Sequence, residues 1–113
     1  MRVLAYFGTR LRACWRLVRV LMHIVSGFVT IRLTFSRRTQ QQRDDAVQAW
    51  ALAMLARLAI KLVVNGKPPS EGPVLLASNH ISWLDIVVIH AARHCRFISK
   101  SEIQHWPLVG TLA

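Results

Sequence analysis

Residues 74–85 constrain the fold more than any other stretch, because an apolar run there gives way to polar residues and then to a helix start. Residues 74–77 form a short apolar run, which predicts a buried strand. Ser82 and Asp85 then have the spacing of a capping box, with an acidic residue in the first helical turn. The stretch therefore predicts a strand, a turn and a helix, in that order.

His80 and Asp85 are five residues apart. On one continuous helix they would point about 140° from each other, whereas with His80 in the turn the carboxylate can reach an imidazole nitrogen. Imidazole is suited to removing a proton from an attacking hydroxyl, and a carboxylate on its other nitrogen fixes the tautomer and stabilises the imidazolium. His80 is therefore the candidate general base and Asp85 its orienting partner. Taken alone, these residues are explained as well by a turn histidine and a helix-capping acid.

The extended motif consists of Asn79, His80, Ser82, Trp83, Leu84 and Asp85. It resembles the first signature motif of the glycerolipid acyltransferases, in particular the bacterial lysophosphatidic acid acyltransferases. The resemblance continues through residues 97–103 and 106–110 and covers roughly residues 60–113. It implies an α/β fold, in which N-terminal amphipathic membrane-associated helices lead into the first strands and the motif helix of an acyltransferase domain.

The resemblance also implies an activity, namely transfer of an acyl chain from acyl-CoA or acyl carrier protein to the free hydroxyl of lysophosphatidic acid. His80 and Asp85 take the catalytic roles given above. The lipid hydroxyl attacks the thioester directly, so no metal and no bound organic cofactor is expected. The family's later Phe-x-x-Arg and Glu-Gly-Thr-Arg elements do not occur after the motif, in residues 86–113. We therefore expect an N-terminal portion of an acyltransferase that is poorly active alone.

The candidate substrate-binding residues are Asn79, Ser82 and Lys100. Asn79 is also a common turn residue, and Ser82 fits a helix cap far better than an acylated nucleophile. Lys100 matches a position that is often basic in the family, although exposed surface charge explains it equally well.

Two other sets of residues are interpreted as structural. His90 and His94 have a zinc-ligand spacing, but no third ligand is evident, and a solvated helix end is the favoured interpretation. Trp83 and Trp106 are expected to pack rather than to contact lipid.

The chain has 113 residues, a net charge of +10, 53% hydrophobic residues and a mean hydropathy of +0.33. This strong positive charge predicts an anionic partner. The basic residues alternate with apolar stretches and form no nucleic-acid reader motif, so anionic membrane lipids are expected and nucleic acid is not. The two cysteines form no Cys-x-x-Cys pair, which favours a reducing compartment. We expect the protein to be associated with the cytoplasmic face of a bacterial inner membrane.

A polar stripe at steps of three and four residues predicts a long N-terminal helix, and it consists of Thr9, Arg12, Arg16, Arg19, His23, Ser26, Thr30, Thr34 and Arg37. The longest window without Lys or Arg, residues 20–31, has twelve residues, and a membrane span needs about 20. An amphipathic helix lying in one leaflet, with arginines at the phosphates, is therefore favoured. The alternative is a helix packed on the protein with its basic stripe in water.

The chain divides into a membrane-associated helix and connector at 1–43 and the start of an acyltransferase domain at 44–113. The remaining predicted elements are a connector at 37–45, a helix at 45–58, strands at 60–65 and 97–99, a loop at 66–73 and the motif helix at 83–92.

Two alternative functions stay open from the sequence. One is a non-catalytic membrane-binding module that retains the motif. The other is an acyltransferase that acts on a different lyso-lipid, such as lyso-ornithine lipid.

Overall fold

The computed structural model describes residues 2–67, 72–79 and 81–96. This part of the chain contains three α-helices, α1 (Arg2–Thr34), α2 (Gln40–Arg57) and α3 (Trp83–Ala92), with a 3-10 turn (Phe35–Arg37) after α1. The long helix predicted from the polar stripe is confirmed as α1, and the motif helix predicted at 83–92 is confirmed as α3. The strand predicted at 97–99 lies outside the described residues.

One residue of the polar stripe of α1, His23, contacts Trp50 of α2. His23 is buried at 9% exposure, and Thr30 and Thr34 are half-buried. The outward faces of α1 carry exposed apolar side chains: Leu11, Trp15, Leu17, Val18, Leu21, Met22, Ile24, Val25, Val29 and Leu33. His23 lies against α2, whereas Ser26 is exposed and Val20 packs against the core.

The hydroxyl groups on this stripe are satisfied by α1 itself. Ser26 donates to the His23 carbonyl at 2.8 Å, Thr30 to the Ser26 carbonyl at 2.8 Å, and Thr34 to the Thr30 carbonyl at 2.7 Å. Back-bonding of this kind removes the need for water at each hydroxyl. The stripe can consequently pack against α2 or lie in an apolar medium without leaving a hydroxyl donor unpaired.

A capping box places the start of α2 earlier than the sequence analysis predicted. Thr39 Oγ1 accepts from the Gln42 amide at 3.3 Å, and Gln42 Oε1 accepts from the Thr39 amide at 3.0 Å. These two bonds satisfy amide groups that a helix start would otherwise leave unpaired. The helix therefore begins at Gln40 rather than at Asp45, and the polar connector is shorter than predicted. The division at 43/44 falls inside α2 and stays a prediction.

The C-terminal end of α2 is closed by a Schellman motif. The Ile60 amide donates to the Leu55 carbonyl at 2.9 Å, and the Ala59 amide donates to the Ala56 carbonyl at 3.1 Å. Ala59 has a φ of 58°, the left-handed conformation that this motif requires and that glycine usually supplies. The motif ends the helix and turns the chain back toward α3.

The core lies between α2 and α3. Its buried side chains are Ala51, Met54 and Leu55 from α2 with Val87 and Ala91 from α3. Ile60 and Leu62, which follow α2, pack against the edge of this core. Burial of each larger side chain, Met54, Leu55 or Val87, stabilises the folded state by about 1.5–3 kcal/mol. The packing of α2 against α3 is therefore the stable centre of the described structure.

The strands predicted at 60–65 and 74–77 are not formed. Across the described ranges, no backbone hydrogen bond joins these two segments. Instead, both segments line a groove beside Val88 and Ile89 of α3. The physical reason is that β-branched, apolar residues favour a pleated surface only where a neighbouring backbone completes the ladder. The described part of the chain is therefore helical, and the strands of the expected α/β fold are not confirmed there.

Candidate active site

The N-terminus of α3 is fixed by the predicted capping box, which the structure confirms. Ser82 has extended backbone angles, and its Oγ accepts a hydrogen bond from the Leu84 amide at 3.2 Å. Asp85 returns the contact, since its Oδ2 accepts from the Ser82 amide at 2.9 Å. Ser82 is thus placed as a helix cap, as the sequence predicted.

The Asp85 carboxylate reaches one residue further back. The same Oδ2 atom accepts from the Ile81 amide at 2.6 Å. Two amide donors on one oxygen hold the carboxylate over the turn that enters α3, with its negative charge at the positive end of the helix. Asp85 therefore lies beside the backbone of the residue that directly follows His80.

The other predicted site residues fall in different places. Asn79 is exposed on the N-terminal side of this turn. His80 and Lys100 lie outside the described residues. The structure thus brings Ser82, Asp85 and the Ile81 amide together.

The turn carries two exposed apolar side chains. Ile81 is 89% exposed and Trp83 is 60% exposed. The expectation that Trp83 packs inside the protein is therefore wrong, because α3 buries its other face, with Val87 and Ala91, against α2. An apolar rim next to a fixed carboxylate suits a site that receives a lipid. The predicted packing residue Trp106 lies outside the described residues.

The far end of α3 is held by α2. The Gln48 side chain Nε2 donates to the carbonyls of Ala91 at 3.2 Å and Ala92 at 3.3 Å, which caps the C-terminus of α3. His94 Nε2 lies 3.2 Å from Asp44 Oδ1. These contacts fix the direction of the helix that carries Asp85. No local sequence pattern marks these contacts, because they join residues more than forty positions apart.

His90 and His94 lie at the α2–α3 interface, not at a solvated helix end as predicted. Their rings stack with centroids 5.1 Å apart. Burial lowers the pKa of His90 below its usual value, and the neighbouring His94 charge lowers it further. Within residues 2–67, 72–79 and 81–96, no cluster of three or more His, Cys, Asp or Glu side chains is arranged to hold a metal ion.

Comparison with known proteins relates the C-terminal part of the chain to a family. The profile of the Acyltransferase family matches residues 59–113, which begin at the Schellman motif and include α3. The 1-acyl-sn-glycerol-3-phosphate acyltransferase of Neisseria gonorrhoeae is 39% identical over 110 residues, covering 96% of this chain and 41% of that protein. The chain therefore spans about two fifths of the length of this relative.

Lyso-ornithine lipid O-acyltransferases are also similar. The Pseudomonas aeruginosa protein is 37% identical over 71 residues, covering 63% of this chain and 27% of that protein. The Brucella abortus protein is 44% identical over 61 residues, covering 53% of this chain and 23% of that protein. No solved structure matches the chain significantly. Residues 59–113, with the capped α3 turn near their centre, thus carry an acyltransferase domain, and the chain is similar to 1-acyl-sn-glycerol-3-phosphate acyltransferases over 96% of its length.

Proposed function

We propose that the protein transfers an acyl chain from acyl-CoA or acyl carrier protein to the free hydroxyl of lysophosphatidic acid. His80 is the general base and Asp85 its orienting partner. The observation that carries this proposal is the position of the Asp85 carboxylate, held at 2.6 Å from the Ile81 amide, one residue after His80. A carboxylate anchored there can accept a hydrogen bond from an imidazole in the same turn.

The proposed chemistry needs no enzyme nucleophile. His80 removes the proton from the acceptor hydroxyl as its oxygen attacks the thioester carbonyl carbon. The tetrahedral intermediate then collapses, the carbon–sulfur bond breaks, and the imidazolium returns the proton to the departing thiolate. Asp85 stabilises the imidazolium between these two steps and fixes the imidazole tautomer. The acyl thioester is a substrate, and no metal or bound organic cofactor takes part.

Three further residues contribute to substrate binding in this proposal. Asn79 and Ser82 shape the turn around the acceptor, and Lys100 approaches its phosphate as a point charge. The exposed Ile81 and Trp83 side chains give the lipid an apolar surface beside that turn. The strand predicted at 97–99 stays a prediction.

We also propose that α1 holds the enzyme on the cytoplasmic face of a bacterial inner membrane through anionic lipids. Within the described residues, the stretch Gly8–Arg37 is long and apolar enough to cross a membrane, by length and composition. Arg19 and Arg32 bracket its window without Lys or Arg at 20–31, and both can reach the phosphates when the helix lies along the membrane surface. The outward apolar faces of α1 and its self-satisfied hydroxyls support burial of this window in lipid, with the arginines at the phosphates.

A second acceptor, lyso-ornithine lipid, is favoured by the similarity to the P. aeruginosa and B. abortus proteins. The N. gonorrhoeae relative aligns with 96% of the chain, including α1, whereas these two align with 63% and 53%. Lysophosphatidic acid is therefore the first candidate. A non-catalytic membrane-binding module is the remaining alternative.

The test is an acyl-transfer assay on full-length protein with lysophosphatidic acid and lyso-ornithine lipid in parallel. His80→Ala should lower kcat by about 10²- to 10⁴-fold, the usual contribution of a positioned general base. Asp45→Ala, at an exposed position of α2, is the control and should retain activity. If His80→Ala were as active as the unaltered protein, the proposed catalytic role would be wrong. If the unaltered protein preferred lyso-ornithine lipid, that lipid and not lysophosphatidic acid would be the acceptor.

A further inference from the structure

A notch on the flank of α1 opens beside the C-terminal end of α2. Its volume is about 260 Å³. The apolar wall is formed by Trp15, Val18 and Met22 of α1, and the basic wall by Arg19 of α1 and Arg57 of α2. No residue of α3 lines it, so among the described residues the notch is separate from the turn that carries Asp85.

The two arginines leave the notch with uncompensated positive charge. In the part of the chain that the structure describes, neither guanidinium has a carboxylate partner, and no acidic side chain lines the notch. Arg57 Nη1 donates to the Ala53 carbonyl at 3.0 Å, which uses one of its five N–H donors. Both guanidinium groups have N–H donors left to form charge-assisted hydrogen bonds with an anion that enters the notch.

The apolar wall makes the notch selective for an amphiphile. Trp15 and Met22 are each 64% exposed, and Val18 is also exposed. Inorganic phosphate or a nucleotide would satisfy the arginines but leave these side chains in water. A phosphate joined to a hydrocarbon chain satisfies both walls, and an indole at such a boundary is typical of the membrane interface.

We propose that this notch binds the phosphate of an anionic phospholipid of the membrane, with the first methylenes of its acyl chains against Trp15, Val18 and Met22. The proposal rests on the proposed membrane association of α1. It adds a defined lipid site to that association, in place of a diffuse attraction between a basic helix and a charged surface.

The position of Arg19 favours a bilayer lipid over the acyl acceptor as the occupant. Arg19 directly precedes the uncharged window 20–31, so it lies at the level of the phosphates when that window enters a leaflet. A lysophosphatidic acid held in the notch would have its phosphate between α1 and α2, and no residue of the α3 turn lines that space. The notch is thus suited to anchoring and not to presenting a hydroxyl for transfer.

Vesicle partitioning of the full-length protein tests the proposal. Phosphatidylcholine vesicles with and without a minority of phosphatidylglycerol are compared for the unaltered protein, Arg19→Gln, Arg57→Gln and the double variant. Arg32→Gln, on the opposite side of α1, is the matched control for loss of one exposed charge. Diffuse attraction weakens partitioning by about fivefold for each basic residue lost near an anionic surface. Circular dichroism verifies that each variant keeps its helical content.

A defined site predicts a distinct pattern. Arg19→Gln and Arg57→Gln each lower partitioning to the anionic vesicles by more than Arg32→Gln does, and the double variant is little worse than either single variant. Arg19→Lys also loses binding, because lysine keeps the charge but not the bidentate fork. The proposed site would be contradicted if Arg19→Gln, Arg57→Gln and Arg32→Gln lowered partitioning by the same factor and the double variant lowered it by the product of the two single factors.

Two further outcomes would also overturn it and have separate meanings. If the unaltered protein binds neither vesicle, the proposed membrane association fails and the notch fails with it. If partitioning is unchanged in the notch variants while the KM for lysophosphatidic acid rises, the occupant is the acceptor and not a bilayer lipid.

Discussion

His23 and Trp50 exchange two hydrogen bonds between α1 and α2, each ring donating to the other residue's backbone carbonyl. His23 Nε2 lies 2.9 Å from the Trp50 carbonyl, and Trp50 Nε1 lies 3.1 Å from the His23 carbonyl. The two rings are stacked, with centroids 5.0 Å apart and planes within 8°. This reciprocal contact joins the helix with the outward apolar faces to the helix that supports α3.

Gly27 provides the space for this contact. A Cβ atom at Gly27 would overlap the indole nitrogen of Trp50, whereas a Cβ at Gly8 of the same helix would meet nothing within 4 Å. Gly27→Ala should therefore destabilise the protein by about 1–3 kcal/mol through overpacking. Gly8→Ala should be neutral or stabilising by up to about 1 kcal/mol, since alanine favours the helix. Denaturant unfolding of both variants measures the difference, and equal effects would contradict the packing account.

Ala59 occupies a position that glycine suits better. Its φ of 58° is left-handed, and an L-residue with a Cβ is strained there. Ala59→Gly should raise the free energy of unfolding by about 0.5–1 kcal/mol. Ala56→Gly, inside α2 and exposed, should lower it by about 1 kcal/mol. Thermal unfolding reports the signs, and destabilisation by both glycines would show that the Schellman geometry is not the source of strain.

His90 predicts a loss of stability in mild acid. Burial, followed by the charge of His94, lowers the pKa of His90 in the folded protein, so the unfolded chain binds the proton more readily. Neutral His90 therefore contributes to the free energy of unfolding above its unfolded pKa of about 6.5. This contribution is lost as the pH falls through the lower pKa of the folded protein. Urea unfolding from about pH 8 to about pH 5 should show this decline, and His90→Asn should flatten it. An unchanged slope in the variant would assign the decline to other groups.

The two cysteines should differ in reactivity. Burial raises the pKa of the Cys95 thiol, against a smaller lowering by the charge of Arg93, whereas Cys14 is exposed. Because the thiolate is the nucleophile, Cys14 should be alkylated faster than Cys95 in detergent solution near pH 8, where a free thiol is partly ionised. Mass spectrometry of the Cys14→Ser and Cys95→Ser variants compares the two rates directly. Faster labelling of Cys95 would contradict its burial.

The parts of the fold that local chemistry determines could be predicted from the sequence. The bounds of α3 follow from Ser82 and Asp85, whose side chains bond to backbone amides within four residues. The start of α2 was determined in the same way by Thr39 and Gln42, but their capping box lies in a polar run that was interpreted as a connector. Both helix starts can therefore be predicted from residues close together in the sequence.

The remaining features depend on residues far apart in the sequence. The strands predicted at 60–65 and 74–77 needed a ladder partner that no local pattern supplies. The sequence did not predict which side of α1 meets α2, because the polar stripe fits both a helix in lipid and a helix packed on the protein. The contact between α1 and α2 is determined by the close packing of the Trp50 indole on Gly27. The Asp44–His94 and Gln48–Ala91 contacts likewise required the folded chain.

The most direct test of the central claim compares Asp85→Asn with Asp45→Asn in acyl transfer to lysophosphatidic acid by the full-length protein. Asparagine keeps an oxygen that can accept from the Ile81 and Ser82 amides but removes the charge that would stabilise a His80 imidazolium. The account predicts that Asp85→Asn lowers kcat by about 10²- to 10⁴-fold with little change in stability, while Asp45→Asn leaves kcat unchanged. An Asp85→Asn enzyme as active as the unaltered protein would show that this carboxylate only caps α3.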